Sequence, residues 1–187
     1  MSVLTPGRNI VLIGLMGAGK TTVGQAVAER LGRPFVDTDT LVEAEAHRSV
    51  AEIFATDGER AFRRLEAAAV RRVAALRGQV IAVGGGAVLD AGNVTQLRST
   101  GDLVLLDADP STLAERVGDT ESRPLLSGAD DPSAELGRLR DARAAAYADA
   151  AGHVIDTTGR EPAAIADAVL DWARRQHGLL SRDEVEL

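Results

Sequence analysis

Apolar residues gather in five short runs, at 9–13, 34–37, 79–83, 103–107 and 153–156. Each run is nearly continuous rather than alternating, rich in Val, Ile and Leu, and closed by Gly, Asp or Pro, the pattern of strands buried on both faces. Between the runs, apolar positions recur at helical spacing over 21–31, 59–76, 111–117, 133–149 and 161–177. In the second of these, Phe62, Leu65, Ala69, Val73 and Leu76 make one stripe that predicts a buried face. Strand alternating with helix predicts a parallel α/β sheet.

Thr40 with Glu43, and Ser49 with Glu52, each fit a capping box, so 38–78 is predicted to be helical, an insert too long for a plain crossover. Residues 118–131 (GDTESRPLLSGADD) are polar, rich in turn formers and without periodicity. A loop of that length in a compact domain reads as a functional lid or else as a disordered segment. The tail 178–187 carries no strong pattern and is expected to fray, leaving a core over about 9–177 within a single domain, 1–187.

Composition narrows the class. At 187 residues with 45% apolar and 26% charged side chains, the chain can bury one core. It has no apolar window long enough to span a bilayer, and its start lacks the basic and apolar regions of a secretory signal, so a cytoplasmic protein without a membrane partner is expected. The absence of Cys excludes a disulfide scaffold, a thiolate metal site and a Cys nucleophile. A net charge of -7 repels a polyphosphate backbone, which argues against nucleic acid as partner. Of 21 basic side chains only one, Lys20, is Lys. Its isolation suggests a place where a compact point charge is needed rather than a planar fork.

Lys20 falls in Gly14-Leu-Met-Gly17-Ala18-Gly19-Lys20-Thr21, a match to G-x-x-x-x-G-K-[ST] directly after the first strand and at the start of the first helix. Gly17, Ala18, Gly19, Lys20, Thr21 and Thr22 therefore form the predicted ATP phosphate site. The glycines let backbone N–H groups point inward at a helix N-terminus, Lys20 reaches the β and γ phosphates, and Thr21 offers its hydroxyl to Mg²⁺. A guanine-specifying Asn-Lys-x-Asp motif is impossible without a second Lys. The D-x-x-G match at 156–159 reads as the end of the last strand.

Asp37 and Asp39 end the second strand, at the sheet edge where ligands of open α/β folds bind. Asp37 can order Mg²⁺ through its water shell, and Asp39 can accept a proton from an attacking hydroxyl; alternatively Asp39 only helps start a helix capped by Thr40. Gly84, Gly85 and Gly86 permit close approach of a small ligand, or simply a tight turn. Arg63 and Glu66, at i and i+3, form a surface ion pair, or Glu66 holds Arg63 for bidentate binding of a carboxylate. Arg123, in the lid, either swings onto the γ phosphate on closure or is solvated.

Taken in order, GLMGAGKTTVG at 14–24, DTD at 37–39, SVAEIFATDGERAFRRLE at 49–66, VGGGAV at 83–88, RPLL at 123–126 and ARAAAY at 142–147 resemble the shikimate kinases, over about residues 9–172. The resemblance implies a three-layer P-loop NTPase fold related to nucleoside monophosphate kinases. It implies a five-stranded sheet in the order 2-3-1-4-5, a helical substrate region at 38–78, a mobile lid at 118–131 and a monomer. By the same resemblance Asp39, Arg63, Gly84, Gly85, Gly86 and Arg143 contact shikimate, with Arg63 and Arg143 on its carboxylate and Asp39 on its hydroxyls. Lys20 and Arg123 offset the charge of the transferring phosphoryl, Thr21 and Asp37 position Mg²⁺, and Arg116 and Arg160 flank adenine. The expected partners are ATP and shikimate. The rival expectations are a kinase of another small polyol acid, such as gluconate, and a module that binds ATP and a metabolite without turnover. Intact Lys20, Asp39 and Arg123 argue against the second.

Overall fold

The computed structural model describes residues 7–118 and 124–185. Among these, β1 (Asn9–Ile13), β2 (Phe35–Asp37), β3 (Val80–Ala82), β4 (Gly101–Asp107) and β5 (His153–Asp156) form one all-parallel sheet in the order β2-β3-β1-β4-β5. Parallel neighbours need crossovers, and helices supply them. α1 (Lys20–Leu31) links β1 to β2; α2 (Thr38–Ala46), α3 (Val50–Asp57) and α4 (Glu59–Ala74) link β2 to β3; α5 (Ala91–Thr100) leads to β4. α6 (Pro110–Val117) and α7 (Pro132–Ala150) lie between β4 and β5, and α8 (Pro162–Arg174) and α9 (Arg182–Val185) close the chain.

The chain leaves β1 in one direction across the sheet and later returns past it to β4 and β5. Right-handed crossovers then put α1 on one face, where it meets α8, and α4 and α5 together on the other. Every residue of β1 is buried, and Ile10, Leu12, Ile13, Ile81 and Leu106 are among the largest fully buried side chains. Each such side chain contributes about 1.5–3 kcal/mol. A second, smaller core of Val42, Ile53, Phe62 and Ala69 binds α2, α3 and α4 to one another, with the Phe54 and Phe62 rings 4.8 Å apart. The helical insert therefore has packing of its own, beside the sheet edge it serves.

Several sequence expectations need correction. The edge strands β2 and β5 are only partly buried, because nothing pairs their outer sides. The predicted stripe on α4 ends early: the helix stops at Ala74, and Leu76 lies beyond it, 59% exposed. Ser49 makes the full capping box, but Thr40 caps nothing. Asp37 takes that place, its carboxylate accepting the Asp39 N–H at 3.0 Å, while Glu43 accepts the Val50 N–H at 2.9 Å. The α5 segment had no expected helix, since its apolar positions are few.

The tail is docked rather than frayed over its described part. Leu179 and Leu180 are buried, and Glu184 meets the buried Arg33 guanidinium in two hydrogen bonds. Burial pushes the Glu184 carboxyl up, but hydrogen bonds from Arg33 and Ser181 outweigh it and hold the group at about 2. In the expected lid, Leu126 is fully buried and Asp131 caps α7, so both anchor the C-terminal half of that loop; Arg123 and residues 119–122 lie outside the described residues.

Candidate active site

The phosphate loop runs from the end of β1 into α1, at the point where the sheet order reverses. Gly17 and Gly19 have φ of 81° and 92°, left-handed values that side chains with a Cβ rarely adopt. α1 starts at Gly19 without a side-chain cap and without an acidic residue in its first turn. Its first N–H groups and its positive dipole end therefore face the loop, which makes an anion site. Lys20 Nζ donates to the Gly14 and Leu15 carbonyls at 2.8 and 2.9 Å, so its charge lies folded over the loop. Thr21 Oγ1 donates to Asp37 Oδ2 at 2.9 Å, which joins the loop to the end of β2.

The same Asp37 caps α2, and that geometry sets Asp39 in the first turn of the helix, beside the third strand's exit. Thr38 is fully buried and its hydroxyl accepts the Gly84 N–H at 3.1 Å, tying β2 to the glycine segment. The glycines are required by space: a Cβ on Gly84 would stand 2.6 Å from Glu66 Oε1 and 2.7 Å from Asp39 Oδ1, and one on Gly86 would overlap the Arg63 guanidinium. Arg63 Nη1 donates to Glu66 Oε2 at 2.8 Å and Nη2 to Glu59 Oε1 at 2.9 Å. Glu66 is 1% exposed, so the pair is no ordinary surface pair. Burial pushes the Glu66 carboxyl up against the pull of Arg63, and Glu66 Oε1 has no hydrogen-bond donor among the described residues.

One cleft of about 1060 Å³ joins these parts. Gly17, Gly19, Lys20, Thr21, Thr22, Asp37, Asp39, Arg63, Gly84, Gly85, Gly86, Arg116 and Arg160 all line it. Ala18 is buried behind the loop, and Arg143 does not reach the cleft wall: it is 6% exposed, with Nη1 donating to the Gly85 carbonyl at 2.9 Å. At the far end, Arg116 donates to Thr157 Oγ1 and to the Thr157 and Arg160 carbonyls, bracing the turn between β5 and α8. Arg160 donates to the Asp156 and Ala164 carbonyls in the same turn.

Sequence reasoning missed several contributors, Thr38, Phe54, Glu161 and Pro162 among them. Thr38 carried no motif signal of its own beyond lying between the two Asp residues. Phe54 lines the cleft from α3, and Glu161 with Pro162 lines it from the start of α8. Only the Pro at a helix N-terminus was a legible cue there.

An anion-binding loop with Lys and Thr, facing a carboxylate and a guanidinium across one cleft of an open parallel sheet, defines a P-loop kinase of a small molecule. The family model for shikimate kinase matches residues 16–174. A shikimate kinase of Symbiobacterium thermophilum is 58% identical over 154 residues, covering 81% of this chain and 87% of its own. Shikimate kinase from Acinetobacter baumannii in complex with shikimate superposes with a TM-score of 0.84 at 34% identity, over 88% of this chain and 92% of that one. A gluconokinase from Sinorhizobium meliloti shares the fold, with a TM-score of 0.56 at 24% identity, over 89% and 90% of the two chains. The chain belongs to the shikimate kinase family and is an enzyme, a phosphotransferase with an alcohol group as acceptor.

Proposed function

We propose that this enzyme transfers the γ-phosphoryl group of ATP to the 3-hydroxyl of shikimate, giving ADP and 3-phosphoshikimate on the route to chorismate and the aromatic amino acids. The observation that carries the reading is the shared cleft: phosphate loop at one side, Asp39, Arg63 and the glycine segment at the other. The N–H groups of residues 17–22 hold the phosphates, and Lys20 swings from the loop carbonyls onto the β and γ oxygens. Asp39 orients the acceptor hydroxyls and takes the 3-hydroxyl proton as the new O–P bond forms and the bond to ADP breaks. Arg63, held by buried Glu66, and Arg143 clamp the carboxylate with planar donors. By family resemblance Arg123 offsets charge on the transferring group, and Arg116 and Arg160 flank the adenine.

Thr21 Oγ1 and Asp37 Oδ2 are hard oxygen donors, with one carboxylate among them, which fits Mg²⁺ held jointly with nucleotide phosphates. When bound, that ion neutralises phosphate charge. Among the described residues no helix is long and apolar enough to cross a membrane. The same reading carries a cytoplasmic protein and, as the resemblance implies, a monomer.

The test is ADP release by the purified protein with Mg-ATP and shikimate, beside gluconate, a nucleoside monophosphate and no acceptor. Release that depends on shikimate is expected. Release with another acceptor instead would leave the phosphate loop in place and break the carboxylate clamp.

A further inference from the structure

Arg143 and Tyr147 stand one turn apart on the buried side of α7, and both donate to one atom. Arg143 Nη1 reaches the Gly85 carbonyl at 2.9 Å and the Tyr147 hydroxyl reaches it at 2.6 Å. Tyr147 is 4% exposed and does not itself line the cleft; it reaches the cleft wall only through Gly85, which does. The carbonyl they share belongs to the middle residue of the glycine segment, whose neighbours fit against Asp39, Glu66 and Arg63. Burial pushes the Tyr147 hydroxyl up to about 12, against the pull of Arg143, so it keeps the proton it donates.

A shikimate carboxylate needs Arg143 to present its N–H groups to the cleft, yet in this structure its Nη1 is engaged with the partly buried Gly85 carbonyl. A carbonyl oxygen accepts two hydrogen bonds, and stripping a partly buried one of both protein donors costs free energy. We propose that Tyr147 is a positioning residue of the acceptor site: its hydroxyl holds the Gly85 carbonyl, so that Arg143 can turn toward a substrate carboxylate without orphaning it. The inference deepens the acceptor assignment above and rests on it. Tyr147 acts only through Gly85 and Arg143 and touches no reacting atom.

Tyr147→Phe keeps the ring and its packing and deletes the donor. The expected result is a shikimate KM raised about tenfold, the effect of leaving a partly buried carbonyl without a protein donor when Arg143 departs. kcat stays within about threefold and the ATP KM is unchanged, because neither the phosphate loop nor Asp39 is touched. With a shikimate analogue whose carboxylate is replaced by hydroxymethyl, Arg143 has nothing to turn toward, and the KM ratio of variant to wild type falls to near one. Arg143→Lys in both backgrounds completes a cycle that reads the coupling directly, with strong non-additivity expected in the shikimate KM. A shikimate KM within twofold of wild type, an equal penalty with the analogue, a parallel rise in the ATP KM, or additivity in the cycle each overturns the proposal. Thermal unfolding of each variant checks the fold. A wild type that releases no ADP with shikimate sinks the parent reading instead, whereas an active wild type with an unmoved Tyr147→Phe variant removes Tyr147 alone.

Discussion

Gly84→Ala is the sharpest probe of the acceptor site, because the structure says where the added methyl group goes. The Gly84 N–H is bound by Thr38 Oγ1 at 3.1 Å and its carbonyl accepts the Ala87 N–H at 3.0 Å, so the backbone is held from both sides. The new Cβ would stand 2.6 Å from Glu66 Oε1 and 2.7 Å from Asp39 Oδ1. Beside Glu66, which its 2.8 Å bond to Arg63 holds, the added methyl presses on the carboxylate of Asp39. To reach an ordinary contact, its carboxylate must retreat by about 0.7 Å. Misplacement of a reacting group by about 1 Å costs about a hundredfold in rate, so kcat/KM for shikimate is expected to fall about ten- to a hundredfold. That is about 1.4–2.7 kcal/mol of transition-state stabilisation. The assay is steady-state ADP release against shikimate at saturating ATP, with ATP affinity measured separately and expected to hold. Overpacking itself costs about 1–3 kcal/mol of stability, so thermal unfolding is followed in parallel. A folded variant with kcat/KM within about threefold of wild type would refute the reasoning: either the carboxylates relax freely or they do not face the acceptor.

Arg63→Ala is expected to raise the shikimate KM with ATP binding nearly untouched, and a normal shikimate affinity would remove Arg63 from the site. The variant also strands Glu66, whose folded-state carboxyl already stands above its ordinary 4.5. Without Arg63 that carboxyl should rise further, and since the unfolded value is common to both proteins, the stability gap from wild type should open as pH rises past the wild-type folded value, above 4.5, and close below it; urea titrations showing a pH-independent gap would contradict this. Arg123→Ala is expected to lower kcat strongly with modest loss of ATP affinity, and unchanged turnover would demote it to a surface residue. Glu184, held at about 2 against an ordinary 4.5, contributes stability that is present above its unfolded value and lost as pH falls from there toward 2. Discounted for its partial exposure, Glu184→Gln should cost about 1–2 kcal/mol near neutral pH and little in strong acid, read by urea denaturation. A cost that persists in strong acid would assign the effect to packing.

Much of this enzyme was legible locally. β1 has the bounds its sequence predicts, because a continuous Val, Ile and Leu run is itself the signature of a buried parallel strand; β5 keeps its predicted bounds too, though three of its four residues are exposed. The phosphate loop needed only eight residues in a row and its flanking elements, since each role there is filled by a near neighbour in sequence. Thr21 and Asp37 meet because the start of α1 and the end of β2 lie at the same carboxyl edge of the sheet, with β3 between β1 and β2, an edge that a βαβ unit makes predictable. Ser49 and Glu52 close their box within one turn.

What the sequence could not decide depends on groups that meet only after the chain has folded. Arg63 and Glu66 read equally as a surface pair until α4 turned one partner into the interior. Gly84 to Gly86 read as a place of close ligand approach or as a plain turn, and only the fold closes Asp39, Glu66 and Arg63 around them. The tail shows no periodicity, yet Arg33 and the burial of Leu179 and Leu180 hold it, and Thr40 yields the capping role to Asp37, which two contacts fix. Tyr147 is the clearest case: its hydroxyl bonds a carbonyl 62 residues away, and nothing in ARAAAY marks that partner. Spacing rules report periodicity and near neighbours along the chain, so they determined strands, helices and the phosphate loop. Which polar atoms end up buried, and which donors they find there, is set by long-range packing, and that the tertiary structure alone decided.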